Sequence, residues 1–411
     1  MIANLPCLYG LVVGAISETG MLSCFFMGCH ALTATTDKNN IFFYDTMKRI
    51  LFFTTMLMAG IASVFAQGYS VRGTVNAGFN GKNIYLATYN KGKWIKNDSA
   101  VIKDNKFTFD GKVEGPDISY LLYEEGEKTM CSDFVLENSV IALNVTIGDG
   151  LELMAMGTKA NDAFSQYKEA LARYREKARP IQERIENSSD KVLRDSLVAE
   201  LYSLGDDVET QLETICVANK GNFTGLYLAQ NFYTRWQPAR AKQFLAEMPQ
   251  DLRTLKIYRD MESHLLQIEM TAEGKPFVDI KASTPEGKEL RLSDFVGNGK
   301  VVLVDFWASW CRPCMMEMPN VVKAYELFKS KGLEIVGVSL DNKSEAWKKA
   351  LAEQKMTWPQ MSDLKGWDSE VAKTYAVKGI PATVLIDKEG KIAARDLRGT
   401  DLLRKIEELL K

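Results

Sequence analysis

Short runs of alternating or β-branched apolar residues mark the first folded stretch of the chain. YSVRGTVNAG, KNIYLATYN, KFTFDGKV, SYLLYE and VIALNVTI each have strand length. The clusters NAGFNGKN, KDNK and IGDG separate them, rich in the Gly, Asn and Asp that turns need. Several short strands at this spacing predict a small all-β domain over residues 67–157, a sandwich or a barrel. Beyond it the period lengthens. Phe164, Tyr167, Leu171, Tyr174 and Ala178 recur at three- and four-residue intervals, with Asn161 and Asp162 as candidate caps. DKVLRDSLVAELYSLGDDVETQLETICVANK and PQDLRTLKIYRDMESHLLQIEM continue the pattern, so residues 158–270 are expected to be helical. This region carries charge and no chemical motif, and it reads as a spacer or docking platform. His264 reads as a packed or surface helix residue.

At TAEGKPF the pattern changes again, and 271–411 reads as a third domain. Strand-like FVDIKA, KVVLVDFW and LEIVGVSL alternate with a helix from about Cys311 to Lys331 and helices in SEAWKKALAEQK and DSEVAKTYAV. ATVLID and KIAARDL form a hairpin around Lys388, Glu389 and Gly390, and DLLRKIEELLK closes the chain. Alternating βα units followed by an antiparallel hairpin predict a mixed sheet covered by helices.

The 411 residues fit two or three domains, and a net charge of −2 without a dense basic tract gives no electrostatic case for nucleic acid or an anionic membrane. The stretch MKRILFFTTMLMAGIASVFAQ has a secretory layout: Lys48 and Arg49, an apolar run, then small residues before Gln67. That run is shorter than the ~20 residues that span a bilayer. Residues 47–66 are therefore read as a signal peptide, with membrane attachment only if it stays uncleaved. Residues 1–46 fit poorly ahead of such a signal and are read as a mis-called extension, which sets aside Cys7, Cys24, Cys29 and His30. Four cysteines remain: Cys131, Cys216, Cys311 and Cys314. Cys131 and Cys216 are isolated and read as packing residues, with pairing left open.

Cys311 and Cys314 lie two residues apart in VVLVDFWASWCRPCMMEMPN. An apolar strand ends, the chain turns, and a helix begins near Cys311. Pro313 suits the first helical turn, and Pro319 should kink the helix. The unsatisfied N–H groups of a helix start favour a thiolate, so Cys311 should titrate below the ~8.5 of a free thiol, with Arg312 acting in the same direction. Cys314, nearly one turn on, faces inward. Cys311 is thus the candidate attacking thiol and Cys314 the resolving one. Zinc needs about four ligands, and no second cysteine pair is present. A structural staple across two residues closes too small a loop to constrain the chain much. A peroxidatic cysteine would show a Thr a few residues before it, where Ala308 and Ser309 stand. A redox dithiol is left as the reading.

VDFWASWCRPC resembles the active-site segment of thioredoxins, and CRPCMMEMP, with Glu317 and Pro319, resembles the extracytoplasmic TlpA-like thiol-disulfide reductases. GKPFVDI, LSDFVGNGK and VKGIPATVLID support the likeness, which covers about residues 272–411. It implies a thioredoxin fold, with Pro381 in cis facing the disulfide and Ile380 helping to bind the substrate backbone. Trp310, Arg312 and Pro313 join the implied substrate-facing set, while Trp307 and Trp310 are expected to pack around the site. Two acids compete to carry the proton of buried Cys314. Asp305 matches the buried acid of thioredoxins, and Glu317 matches that of the TlpA-like reductases. Residues 69–156 resemble, by texture alone, the β-rich domain of unknown function that precedes TlpA-like domains in Bacteroidetes. The implied protein is an exported periplasmic reductase of protein disulfides, needing no cofactor or metal and fed by an envelope electron donor. Apocytochrome c thiols are one implied target. Disulfide donation, or a non-catalytic envelope binding or assembly role, are the alternatives.

Overall fold

The five runs become strands, and three further strands join them, in the computed structural model, which describes residues 68–90 and 92–411. The signal-like segment 47–66 and the extension 1–46, with their cysteines and His30, lie outside the described residues. The strands are β1 (Tyr69–Val75), β2 (Asn83–Asn90), β3 (Lys93–Val101), β4 (Lys106–Gly111), β5 (Asp117–Glu125), β6 (Lys128–Leu136), β7 (Val140–Ile147) and β8 (Leu151–Met156). They form two four-stranded sheets, β4-β1-β7-β8 and β3-β2-β5-β6. Val71, Phe109 and Ile141 from one sheet share a core with Ile84, Leu121 and Phe134 from the other. This is the sandwich form of the expected β-rich domain. β3 was invisible as a pattern because none of its residues is buried. It lies at a sheet edge, paired only with β2, so no apolar alternation is required of it.

Helices follow: α1 (Lys159–Asn187), α2 (Lys191–Ala218), α3 (Phe223–Ala229), α4 (Pro238–Ala246), α5 (Gln250–Arg253) and α6 (Lys256–Met270). α1 buries the predicted stripe of Phe164, Tyr167, Leu171, Tyr174 and Ala178. Its cap is Thr158, whose side chain accepts the Asn161 N–H, not Asn161 or Asp162. Asn161 is instead fully buried and exchanges hydrogen bonds with the Val135 backbone at 3.0 and 2.9 Å, which fastens α1 to β6. The last expected helix of the region is divided into α5 and α6. Two compact units result. One runs to Arg235 and includes Gln243–Tyr258; the other comprises Trp236–Lys242 and Arg259–Lys411. Cys131 is half-buried in β6, and Cys216 is buried in α2 with its thiol 3.3 Å from the Gly225 carbonyl.

The second unit has a thioredoxin-like fold. Its elements are β9 (Lys281–Ser283), β10 (Glu289–Arg291), β11 (Val301–Trp307), α7 (Arg312–Phe328), β12 (Leu333–Ser339), α8 (Ser344–Glu353), β13 (Gln360–Met361), α9 (Glu370–Thr374), β14 (Ala382–Ile386), β15 (Ile392–Arg395) and α10 (Gly399–Leu410). The central sheet runs β13-β12-β11-β14-β15. β11 is parallel to β12 and antiparallel to β14, and all seven of its residues are buried, as a strand covered on both faces requires. The strand expected at FVDIKA shrinks to β9. Upstream of it, Val278 donates its N–H to the Tyr375 hydroxyl and accepts that hydroxyl's proton, while Phe277 donates to the Gly390 carbonyl. The backbone there is satisfied without a ladder. His264 is a packed residue: it is buried, with Nε2 3.0 Å from the Ala376 carbonyl, and burial lowers its pKa.

Candidate active site

β11 delivers the chain to the site. Trp307, at its end, is fully buried and donates Nε1–H to Gln360 Oε1 at 3.2 Å. Gly337 of β12 makes room for that side chain, since a Cβ there would lie 2.2 Å from Gln360 Oε1. The turn that follows is held by Asp341, which is 1% exposed. Its carboxylate accepts the Ser309 N–H at 3.0 Å, the Ser309 hydroxyl at 2.5 Å and the Ser339 hydroxyl at 2.8 Å. No motif in the sequence marks Asp341; the one signal for it is an acid just beyond the C-terminal end of β12, a buried strand parallel to β11.

Cys311 is the N-cap residue of α7, and its Sγ accepts the Cys314 N–H at 3.2 Å. The two cysteines are joined as a disulfide, with Cα atoms 5.2 Å apart. Cys311 is 4% exposed and Cys314 1%, so the expected contrast in accessibility is narrow. Arg312 and Pro313 are exposed, with Pro313 in the first turn as expected, and α7 runs on through Pro319 to Phe328. Across from the disulfide, the Ile380–Pro381 peptide bond is cis and the Ile380 carbonyl oxygen lies 3.7 Å from Cys311 Sγ. Trp310 does not pack as expected. It remains 52% exposed, with its ring centroid 6.0 Å from that of Trp367.

The two acids have different surroundings. Asp305 is 3% exposed, and its Oδ2 has no hydrogen-bond partner among the described residues. Burial, with the nearby charge of Glu317, pushes its carboxyl up to about 7. Glu317 is half-buried and both of its oxygens are engaged: Oε1 accepts the Gly399 N–H at 2.6 Å and Oε2 accepts Asn320 Nδ2 at 3.1 Å. Beside Gly399, Arg398 donates from Nη2 to the Pro381 carbonyl at 2.7 Å. Residues 398–399, which no sequence motif marked, thus link α7 to the turn facing the disulfide. Chemically, the arrangement offers a sulfur at a helix start, a second sulfur behind it, a backbone carbonyl alongside, and a buried acid that can titrate near neutrality. No group of three or more potential metal ligands occurs among the described residues.

Residues 274–395 match the AhpC/TSA family, and residues 69–164 match a domain of unknown function, DUF4369. The thiol-disulfide oxidoreductase ResA of Bacillus thuringiensis subsp. konkukian is 36% identical over 138 residues, which is 34% of this chain and 76% of the relative. The thioredoxin domain of a thiol-disulfide oxidoreductase from Bacteroides vulgatus is 41% identical, covering 34% of this chain and 99% of that one, with a TM-score of 0.32. A thiol:disulfide interchange protein DsbE from Chlorobium tepidum is 32% identical over the same shares, with a TM-score of 0.31.

Proposed function

Because the chain belongs, through its C-terminal unit, to the thiol-disulfide oxidoreductases, we propose that it is an exported enzyme that reduces protein disulfides in the cell envelope through Cys311 and Cys314. The observation that carries this reading is the Cys314 N–H directed at Cys311 Sγ from the first turn of α7. In the reduced protein the same contact stabilises a thiolate on Cys311. That thiolate attacks one sulfur of a substrate disulfide. A mixed disulfide forms, and the released substrate thiolate takes up a proton. Cys314 then loses its proton, attacks Cys311 Sγ and expels the second substrate thiolate. The substrate has gained two electrons and two protons, and the enzyme pair is oxidised. Asp305 receives the Cys314 proton in this scheme, supported by its burial, its unpartnered oxygen and its raised pKa. An envelope dithiol donor then restores the pair, and apocytochrome c cysteines are the target class. Export rests on the signal-like residues 47–66.

The same contact also favours the opposite direction, because a stabilised thiolate makes a dithiol pair more oxidising. Equilibration of the Cys311–Cys314 pair with dithiothreitol or glutathione buffers separates the two. A potential of about −270 mV or lower supports the reductant, and one near about −120 mV supports disulfide donation. Insulin reduction checks the activity itself. Failure to reduce insulin by a pair whose potential is reducing would leave the non-catalytic envelope role.

A further inference from the structure

Two large aromatic rings beside the disulfide are left half in solvent. Trp310 is 52% exposed and Trp367 49%. Their ring centroids are 6.0 Å apart and their planes inclined at 58°, so they lean toward each other without closing into a stack. Trp310 is covalently adjacent to Cys311. Trp367 comes from a distant part of the chain, the single 3-10 turn Gly366–Asp368 beyond β13.

That turn is held in one shape. Leu364 and Gly366 adopt left-handed φ values of 54° and 56°. A branched residue such as Leu364 takes that conformation only where its surroundings impose it. The Asp363 carboxylate accepts the N–H groups of Lys365 and Glu370 at 3.3 and 3.0 Å. Ser362 Oγ accepts the Leu364 N–H at 3.1 Å and donates to the Ser339 carbonyl at 2.8 Å. Trp367 is therefore displayed from a fixed backbone. Ordered aromatic side chains with wet faces contribute heavily to binding, because little freedom is lost when a partner covers them. The exchange chemistry has no use for Trp367.

We propose that Trp367, together with Trp310, forms an aromatic cradle that selects polypeptide disulfides with a large apolar residue, above all an aromatic one, next to the target cysteine. This rests on the reading of Cys311 as the exchanging thiol. A substrate sulfur bonded to Cys311 lies within reach of the Ile380 carbonyl, 3.7 Å from Cys311 Sγ. Its flanking residues meet Trp310, the neighbour of Cys311 in the chain, with the second ring extending that surface. An aromatic flank covers both rings, whereas a small polar flank leaves them wet. The cradle is continuous with the exchange face, so its occupant is the substrate segment itself.

The test uses the reduced full chain and the homodimeric disulfides of two peptides, GFCFG and GSCSG. Rate constants for thiol release are measured by mass spectrometry, with hydroxyethyl disulfide as a small control substrate. The aromatic peptide is expected to react about fivefold faster than the serine peptide, the factor one aromatic contact supplies. Trp367→Ala should bring that ratio to within about twofold of one, and Trp367→Phe should retain most of it. The ratio is internal to each variant, so incomplete folding does not obscure it. Equal rates in the wild type, or a Trp367→Ala variant that slows both peptides by the same factor, overturns the cradle while leaving the reductase reading intact. A wild type that reduces neither peptide nor hydroxyethyl disulfide overturns both.

Discussion

The Glu317 carboxylate accepts the backbone N–H of Gly399, the first residue of α10, at 2.6 Å. An acid three residues past Cys314 therefore caps a helix 82 residues further along the chain. Side-chain caps of this kind contribute about 1 kcal/mol. Glu317→Ala should lower the stability of the C-terminal unit by roughly that amount, while Glu317→Gln, which keeps an acceptor oxygen, should lose less. Urea denaturation of the oxidised protein measures both. Equal losses from the two substitutions would show that charge, and not the cap geometry, is what counts.

Asp305 should make stability fall as pH rises. Its folded pKa, about 7, lies above the ordinary 3.8, so the native state keeps a proton that the unfolded chain has released. The stabilisation is fully present below pH 3.8 and is lost as pH rises through about 7. Asp305→Asn removes this slope. Relative to wild type, the variant should gain on the order of 2–4 kcal/mol between pH 4 and pH 8. Parallel urea curves at the two pH values check it, and an unchanged difference between the proteins would refute the raised pKa.

The same two acids should separate kinetically. Asp305 has a buried oxygen without a partner, whereas both Glu317 oxygens are committed to hydrogen bonds. Asp305→Asn should slow release of the mixed disulfide about tenfold or more, and Glu317→Gln should slow it less. Rapid-quench measurement of the mixed disulfide across neutral pH reads the step directly. The reverse order would assign the proton to Glu317, and no effect from either would remove both.

The cysteines should differ when replaced one at a time. Cys314→Ser should still attack substrate disulfides but fail to resolve them, so covalent adducts accumulate. Cys311→Ser should trap few or none. Non-reducing gels of cells carrying each variant, with mass spectrometry of the trapped bands, give the answer and identify substrates. Adducts from Cys311→Ser alone would exchange the two roles.

The dithiol was legible because its chemistry is local. A buried strand, a turn, a cysteine at a helix start and a second cysteine within one turn all fall inside some twenty consecutive residues, VVLVDFWASWCRPCMMEMPN. Helical and strand periods likewise reveal whichever faces are buried, which is why the stripe of α1 and the continuous run of β11 could be read directly. β3 shows the limit of that signal: an edge strand with no buried face has no pattern to display.

What the sequence by itself determined, then, is the order of the three folded stretches and the placement of Cys311 and Cys314 at a helix start. The tertiary structure alone decided the surroundings of the pair. Ser309 meets Asp341 across 32 residues, Arg398 reaches the Pro381 carbonyl across 17, and Trp367 leans toward Trp310 from beyond β13. It also divided the two acids, leaving Asp305 buried with an unpartnered oxygen and turning Glu317 into a helix cap. The physical reason is the range of each interaction. Periodicity and helix-start hydrogen bonds act between residues a few positions apart, so composition and spacing encode them. Burial, desolvation and contacts between distant segments exist only once the sheet has assembled, and no local pattern records them in advance.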